Sequence, residues 1–237
     1  MEEEYFLCDL DFVDIKHNKV ILNWHRRWAN RGMYLGEGLF SPDKKYFYIN
    51  IPKNASSSIK NELTKLGWDF GHIREFPKAQ PIVVLRDPVE RWISGIAEYL
   101  LMYHADIIDN LTRHDGYNAL PILGQELGLS LIFDTITFDD HTDRQTVFLN
   151  DCTFFNCIWV KLDKEFNQKF SRLLNDIGYE NQFELSEKEN DSDNSILKRD
   201  LKHLFRLILD KNHDRRKAIE EWFWCDYELL NKMEFYD

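Results

Sequence analysis

A chain of 237 residues with 30 Lys and Arg against 41 Asp and Glu carries a formal charge of −11. This excess of acid argues against a dedicated nucleic-acid binder, because polyanion affinity comes from basic side chains facing phosphates, yet it leaves room for a local cationic site. Hydrophobic content of 43%, with 14% aromatic residues and a mean hydropathy of −0.50, excludes a disordered chain and fits one globular domain with at most a small elaboration.

No run approaches the roughly 20 apolar residues that span a bilayer. The first residues, MEEEYFLCDLDF, are acidic where a secretory leader is basic, so the expected location is the cytoplasm, with no membrane attachment. Cys8, Cys152, Cys157 and Cys225 are too few and too scattered for a disulfide framework and are expected to be reduced, packed thiols.

Residues 1–45 read as an N-terminal extension, with an acidic aromatic start, a cluster of Trp24, Arg26, Arg27 and Trp28, and a hairpin feeding the first core strand. Gly36 and Gly38 lack the third glycine and the preceding strand of a dinucleotide fingerprint, so they read as a turn. From Tyr46, YFYINI is an aromatic and β-branched run bounded by Pro52, which predicts a buried strand. A helix follows, with Ser56, Ser57 and Ser58 able to cap it and Ile59, Leu63 and Leu66 at helical spacing before Gly67.

The plan then repeats. Pro81 opens the strand IVVL, Arg86, Asp87 and Pro88 form its C-terminal edge, and Val89 to about Met102 predicts a helix with Trp92, Ile96, Tyr99 and Leu100 on one face. After a loop-rich middle from His104 to Asn150, CIWVKL predicts a third strand, and a helix runs from Asp163 to Gly178. SEKENDSDNS from Ser186 reads as an exposed loop. Two closing helices carry Leu201, Leu204, Phe205 and Ile208, and then Ile219, Trp222, Phe223 and Leu230 from about Asp214 to Lys232. Strand–loop–helix units predict an α/β fold, a single domain over residues 46–237 with a central parallel sheet flanked by helices.

Chemistry concentrates in the turn Ile51-Pro-Lys-Asn-Ala-Ser-Ser-Ser-Ile59. A small-residue loop entering a helix N-terminus presents backbone N–H groups and the positive end of the helix dipole, and Lys53 adds a mobile cation, a combination suited to phosphate or sulfate. It is not a Walker A loop, since Lys53 precedes the small residues instead of following a glycine at the end of the turn. Arg86 ends the next strand, where ligands of open α/β sheets bind, and Ser94 follows eight residues later in the helix. A guanidinium and a hydroxyl so placed suit a second phosphate; the plainer alternative is a surface pair of Arg86 with Asp87 or Glu90.

IPKNASSSIK followed by VVLRDPVERWISG resembles the two cofactor motifs of the 3′-phosphoadenosine 5′-phosphosulfate (PAPS) dependent sulfotransferases, in the carbohydrate branch that includes the heparan 2-O and chondroitin-type enzymes. DDHTDRQTVFLNDC is similar to that family's His–Trp–x–x–Gln segment, with His141 and Gln145 kept and Thr142 in place of Trp. VKLDKEF and the terminal helix with Asp226 and Tyr227 are also family-like, so the resemblance runs from about Tyr46 to the C-terminus. It implies a P-loop-like sulfotransferase fold and a compact, soluble member of the family.

It further implies sulfuryl transfer from PAPS to an acceptor hydroxyl of a carbohydrate, with adenosine 3′,5′-bisphosphate (PAP) as product and no metal. Lys53 is then both cofactor-binding and catalytic, Asn54, Ala55, Ser56, Ser57 and Ser58 surround the phosphosulfate, and Arg86 with Ser94 holds the 3′-phosphate. The sequence accordingly predicts no cluster of His and carboxylate groups at metal-ligand spacing. His72, in FGHIREF between the two motifs, is the expected general base, since a histidine ordinarily titrates near neutrality; Glu75 and His141 are alternatives. His104 and His114 read as surface residues of the middle segment. Two other readings remain open: a P-loop-like small-molecule kinase, with Asp87 as a magnesium ligand, and a catalytically silent nucleotide-binding module. The acidic balance favours a neutral or weakly charged acceptor over a heavily sulfated polymer.

Overall fold

The apolar runs YFYI, PIVVL and IWVK form strands because their β-branched and aromatic side chains fit a pleated surface buried on both faces. The computed structural model describes residues 36–103, 136, 139–149, 156–180, 183, 193–211 and 213–237. The Trp24 to Trp28 cluster, His104, His114, Cys8, Cys152, most of the middle segment and residues 186–192 of the expected loop lie outside the described residues.

In chain order the elements are β1 (Glu37–Phe40), β2 (Tyr46–Ile49), α1 (Ser56–Lys65), β3 (Asp69–His72), β4 (Gln80–Leu85), α2 (Pro88–Tyr103), β5 (Ile158–Lys161), α3 (Phe166–Asp176), α4 (Asp193–Lys211), α5 (His213–Trp222) and α6 (Trp224–Lys232). Short 3₁₀ turns cover Ile73–Glu75 and Gln145–Leu149. The chain divides into two compact units: Met1–Arg86 with Arg144–Leu185 and Glu228–Asp237, and Asp87–Asp143 with Ser186–Tyr227.

The first unit holds one five-stranded sheet in the order β3-β1-β2-β4-β5. Strands β2, β4 and β5 are parallel, whereas β1 runs antiparallel to both β2 and β3. The sheet is therefore mixed, which corrects the parallel sheet expected from sequence. The cause is the stretch 37–40, assigned to the N-terminal extension: it forms a hairpin with β2 and so enters the sheet between β2 and β3. Gly38 makes that pairing close, because a Cβ there would lie 1.8 Å from the Tyr48 carbonyl oxygen. β3, with the sequence DFGH, has no apolar alternation to announce it and sits at the sheet edge.

Alternate residues of β4 face opposite sides. Ile82 and Val84 join Ile59 and Leu63 of α1 and Phe166 and Phe170 of α3 in one core. Val83 and Leu85 join Phe148, Leu149, Trp159 and Leu229 in the other. Both faces are thus covered, and β4 is apolar throughout for that reason. Cys157 packs against the second core, Cys225 is buried, and neither forms a disulfide among the described residues.

The second unit is helical. α2 packs Trp92 edge-on to Phe205 of α4, with ring centroids 5.9 Å apart. The bidentate pair of Arg206 with Glu90 ties the same two helices at 3.0 and 2.6 Å. The expected terminal helix is two, α5 and α6, interrupted at Phe223, which is fully buried. α4 already begins at Asp193, within the stretch read as a loop. No helix among the described residues is long and apolar enough to cross a membrane.

Candidate functional site

The loop between β2 and α1 turns sharply at two residues that are not glycine. Lys53 has φ 68° and Ala55 has φ 57°, so both adopt left-handed conformations on either side of Asn54. Each costs an L-residue about 1–2 kcal/mol, and backbone strain of this kind concentrates where a site must hold a fixed shape. Left-handed residues leading into a helix also gather successive N–H groups into a concave nest that suits an anion. Ala55 is the N-cap of α1 and makes no side-chain cap bond, so the cap position falls one residue before the serines expected to fill it. Ala55→Gly should therefore raise stability by up to about 1 kcal/mol, the relief of strain exceeding the extra freedom gained by the unfolded chain. A thermal melt checks this, and a lower melting temperature would show that the loop is not strained.

Asn54 is fully buried and anchors the loop. Its Nδ2 donates to the Val84 carbonyl at 2.7 Å and to Gln145 Oε1 at 2.6 Å, while its Oδ1 has no hydrogen-bond partner among the described residues. Arg86 lies half-buried at the end of β4 and donates from Nη1 to the Lys53 carbonyl at 3.1 Å. The structure thus brings Lys53, Asn54 and Arg86 together. Asp87 caps α2: its Oδ1 accepts the Glu90 N–H at 2.9 Å, with Pro88 as first helical residue. Ser94 lies in the second unit, buried on α2.

His72 ends β3 opposite Glu37 of β1, and the Asn50 N–H donates to the Glu37 carbonyl at 2.9 Å. His72 and the start of the Lys53 loop therefore share one end of the sheet, two interstrand spacings or about 10 Å apart. His72 Nδ1 accepts the Arg74 backbone N–H at 3.1 Å, and Glu75 Oε1 accepts the His72 N–H at 2.8 Å. Those bonds assign the ring proton of neutral His72 to Nε2, so the nitrogen with the lone pair is the one already engaged. Glu75 closes the same capping turn. Lys60, one turn into α1, has its amine held below the ordinary lysine value by burial, partly opposed by Glu37.

In the second unit His141 faces two carboxylates, with Nδ1 2.9 Å from Asp139 Oδ2 and 3.2 Å from Asp140 Oδ1. Here the proton belongs on Nδ1 and the lone pair on Nε2, the arrangement of an oriented base. Burial holds the Asp140 carboxyl above its ordinary value, with the His141 charge opposing. The ligand atoms of Asp139, Asp140 and His141 lie within 4.8 Å of one another, close enough for a cation. The sequence reading, which looked at spacing along the chain, did not single out these three consecutive residues.

The loop that carries His141 is clamped to α2. Arg91, fully buried, donates to the Asp143 carbonyl and to the Asp140 carbonyl at 3.1 Å. Trp92 Nε1 donates to the Ile136 carbonyl at 2.8 Å. Gly95 lets the chain approach, since a Cβ there would meet the His141 carbonyl oxygen at 2.1 Å. Thr142, where the resembled segment has Trp, is buried and bonds the Asp139 carbonyl at 3.0 Å. Sequence reasoning missed Arg91 and gave Gln145 no role. The only signals were an arginine on the apolar face of a helix and a glutamine retained in a recognised segment.

No family model, curated protein or solved structure matches the chain.

Proposed function

We propose that the chain is a PAPS-dependent sulfotransferase that sulfates a hydroxyl compound, a carbohydrate by the resemblance of its motifs. The observation that carries the reading is the β2–α1 loop: two left-handed residues, Lys53 and Ala55, open onto the N-terminus of α1, and the Lys53 carbonyl accepts a hydrogen bond from Arg86 at the end of the next parallel strand. Such a loop fits one anion at the nest and a second beside the guanidinium, as a nucleotide with two separated phosphates requires.

When bound, the donor supplies the sulfuryl group and a nucleotide bisphosphate as leaving group. The protein's part is positioning and charge. The N–H groups of the nest and of α1 hold anionic oxygens, and the Lys53 ammonium stabilises negative charge that grows during an in-line displacement. Arg86 fixes the far end of the nucleotide. A kinase is disfavoured, because the loop lacks the Gly-Lys-Ser/Thr ending and the Asp87 carboxylate is engaged in capping α2. A silent binding module is favoured by one observation, the engaged Nδ1 of His72.

PAP without magnesium should raise the melting temperature. At about 100 times its dissociation constant the gain is about 2.7 kcal/mol, roughly 5–10 °C for a chain of this size. Arg86→Ala should remove most of that shift. A response only to ATP with magnesium would overturn the proposal in favour of a kinase. The silent module gives the same shift with no turnover of PAPS against any hydroxyl acceptor. Where turnover is found, a His72→Ala variant with wild-type turnover excludes His72 as the base.

A further inference from the structure

We propose that Gln145 is the positioning residue that sets the spacing between the two anion sites, so that the chain selects a nucleotide bearing two separated phosphates over one bearing a single phosphate. The inference rests on the nucleotide reading above. Gln145 is fully buried at the start of the 3₁₀ turn Gln145–Leu149. Its Oε1 accepts the Arg86 N–H at 2.9 Å, and its Nε2 donates to the Arg86 carbonyl at 2.8 Å. One primary amide thus pairs with both main-chain groups of the residue where β4 ends, as a neighbouring strand would.

The same Oε1 also accepts Asn54 Nδ2 at 2.6 Å. Asn54 lies between Lys53 and Ala55, the two left-handed residues of the loop. A single side chain therefore holds the backbone of the second anion site and the anchor of the first. Arg86 Nη1 on the Lys53 carbonyl adds a direct tie. This arrangement needs both ends of an amide. A carboxylate would set oxygen against the Arg86 carbonyl, and a methionine of similar length would bond neither group.

A ligand that touches only one site can seat itself locally whatever the spacing, whereas one that bridges both gains its second contact only when the separation fits. The test measures dissociation constants of adenosine 3′,5′-bisphosphate, adenosine 5′-monophosphate and adenosine 3′-monophosphate for the wild type, Gln145→Glu and Gln145→Met. The bisphosphate should weaken at least about thirtyfold in both variants while each monophosphate changes by less than about threefold. Gln145→Asn, which keeps the amide but draws it back by one methylene, should show the same selective loss and serves if the first two variants do not fold.

Equal weakening of all three ligands overturns the positioning role and leaves a structural one, as does failure of all three variants to fold. A wild type that binds none of the ligands overturns the nucleotide reading itself, and this proposal with it. Tight wild-type binding of the bisphosphate with no selective loss in the variants overturns the proposal alone.

Discussion

On the proposed sulfotransferase reading, Lys53→Ala should reduce sulfuryl transfer by at least about a thousandfold while the protein stays folded. Removing one preorganised charge or donor from a developing oxyanion costs about 10²–10³ in turnover, or about 3–4 kcal/mol of barrier, and a full ammonium belongs at the upper end or beyond. Lys53 is half-buried, but its left-handed backbone makes alanine an imperfect control, because a loop that shifts would also lose activity. Lys53→Gly separates the causes. Glycine accepts φ 68° without strain, so this variant keeps the loop, melts at or above the wild-type temperature and remains as inactive as Lys53→Ala. The readout is PAP released from PAPS with a panel of hydroxyl acceptors. Turnover within tenfold of wild type in Lys53→Gly would sink the electrostatic role.

Gly95→Ala should be the most damaging added methyl group among the described glycines of the second unit. The added carbon would meet the His141 carbonyl oxygen at 2.1 Å, and a backbone atom cannot rotate away. Relief requires the 139–143 loop to withdraw from α2, which breaks the bonds from buried Arg91 to the Asp140 and Asp143 carbonyls. A hydrogen bond to a charged group contributes about 1.5–2.5 kcal/mol, so losing the two costs about 3–5 kcal/mol. Alanine returns only about 1 kcal/mol through its better helix propensity. The net loss of about 2–4 kcal/mol corresponds to a fall in melting temperature of roughly 5–15 °C. Trp92, whose Nε1 bonds the Ile136 carbonyl, gives a fluorescence signal for the same displacement. An unchanged melting temperature would show that the loop is not held against the helix.

The strands β2, β4 and β5 were legible because each is a short apolar run, and β4 alternates between two cores that both demand large side chains. Helices α1 and α3 were legible from their buried faces and from the glycines that follow them. β1 and β3 were not. GLF is too short to declare a strand, and DFGH is polar because it lies at an edge, so the antiparallel part of the sheet had no periodic signal. In the site, Lys53 and Arg86 could be named because side-chain chemistry and placement after strands are visible in sequence. The left-handed backbone of Ala55 was invisible, since alanine is not a residue that advertises it. Gln145 is distant from both of its partners along the chain, and only the fold reveals that its amide meets them.

The pairing of β5 with β4 also sets an order of events during synthesis. Residues 86–157 separate the two strands, and β4 is buried on both faces. At about 5–20 residues per second the ribosome takes roughly 4–14 s to deliver β5 after β4 has emerged. Throughout that interval the apolar β4 has an unpaired edge, and closing so long a loop makes this pairing intrinsically slow. During synthesis an apolar strand edge therefore precedes, by several seconds, both Gln145, which anchors the Lys53 loop, and the strand that covers it.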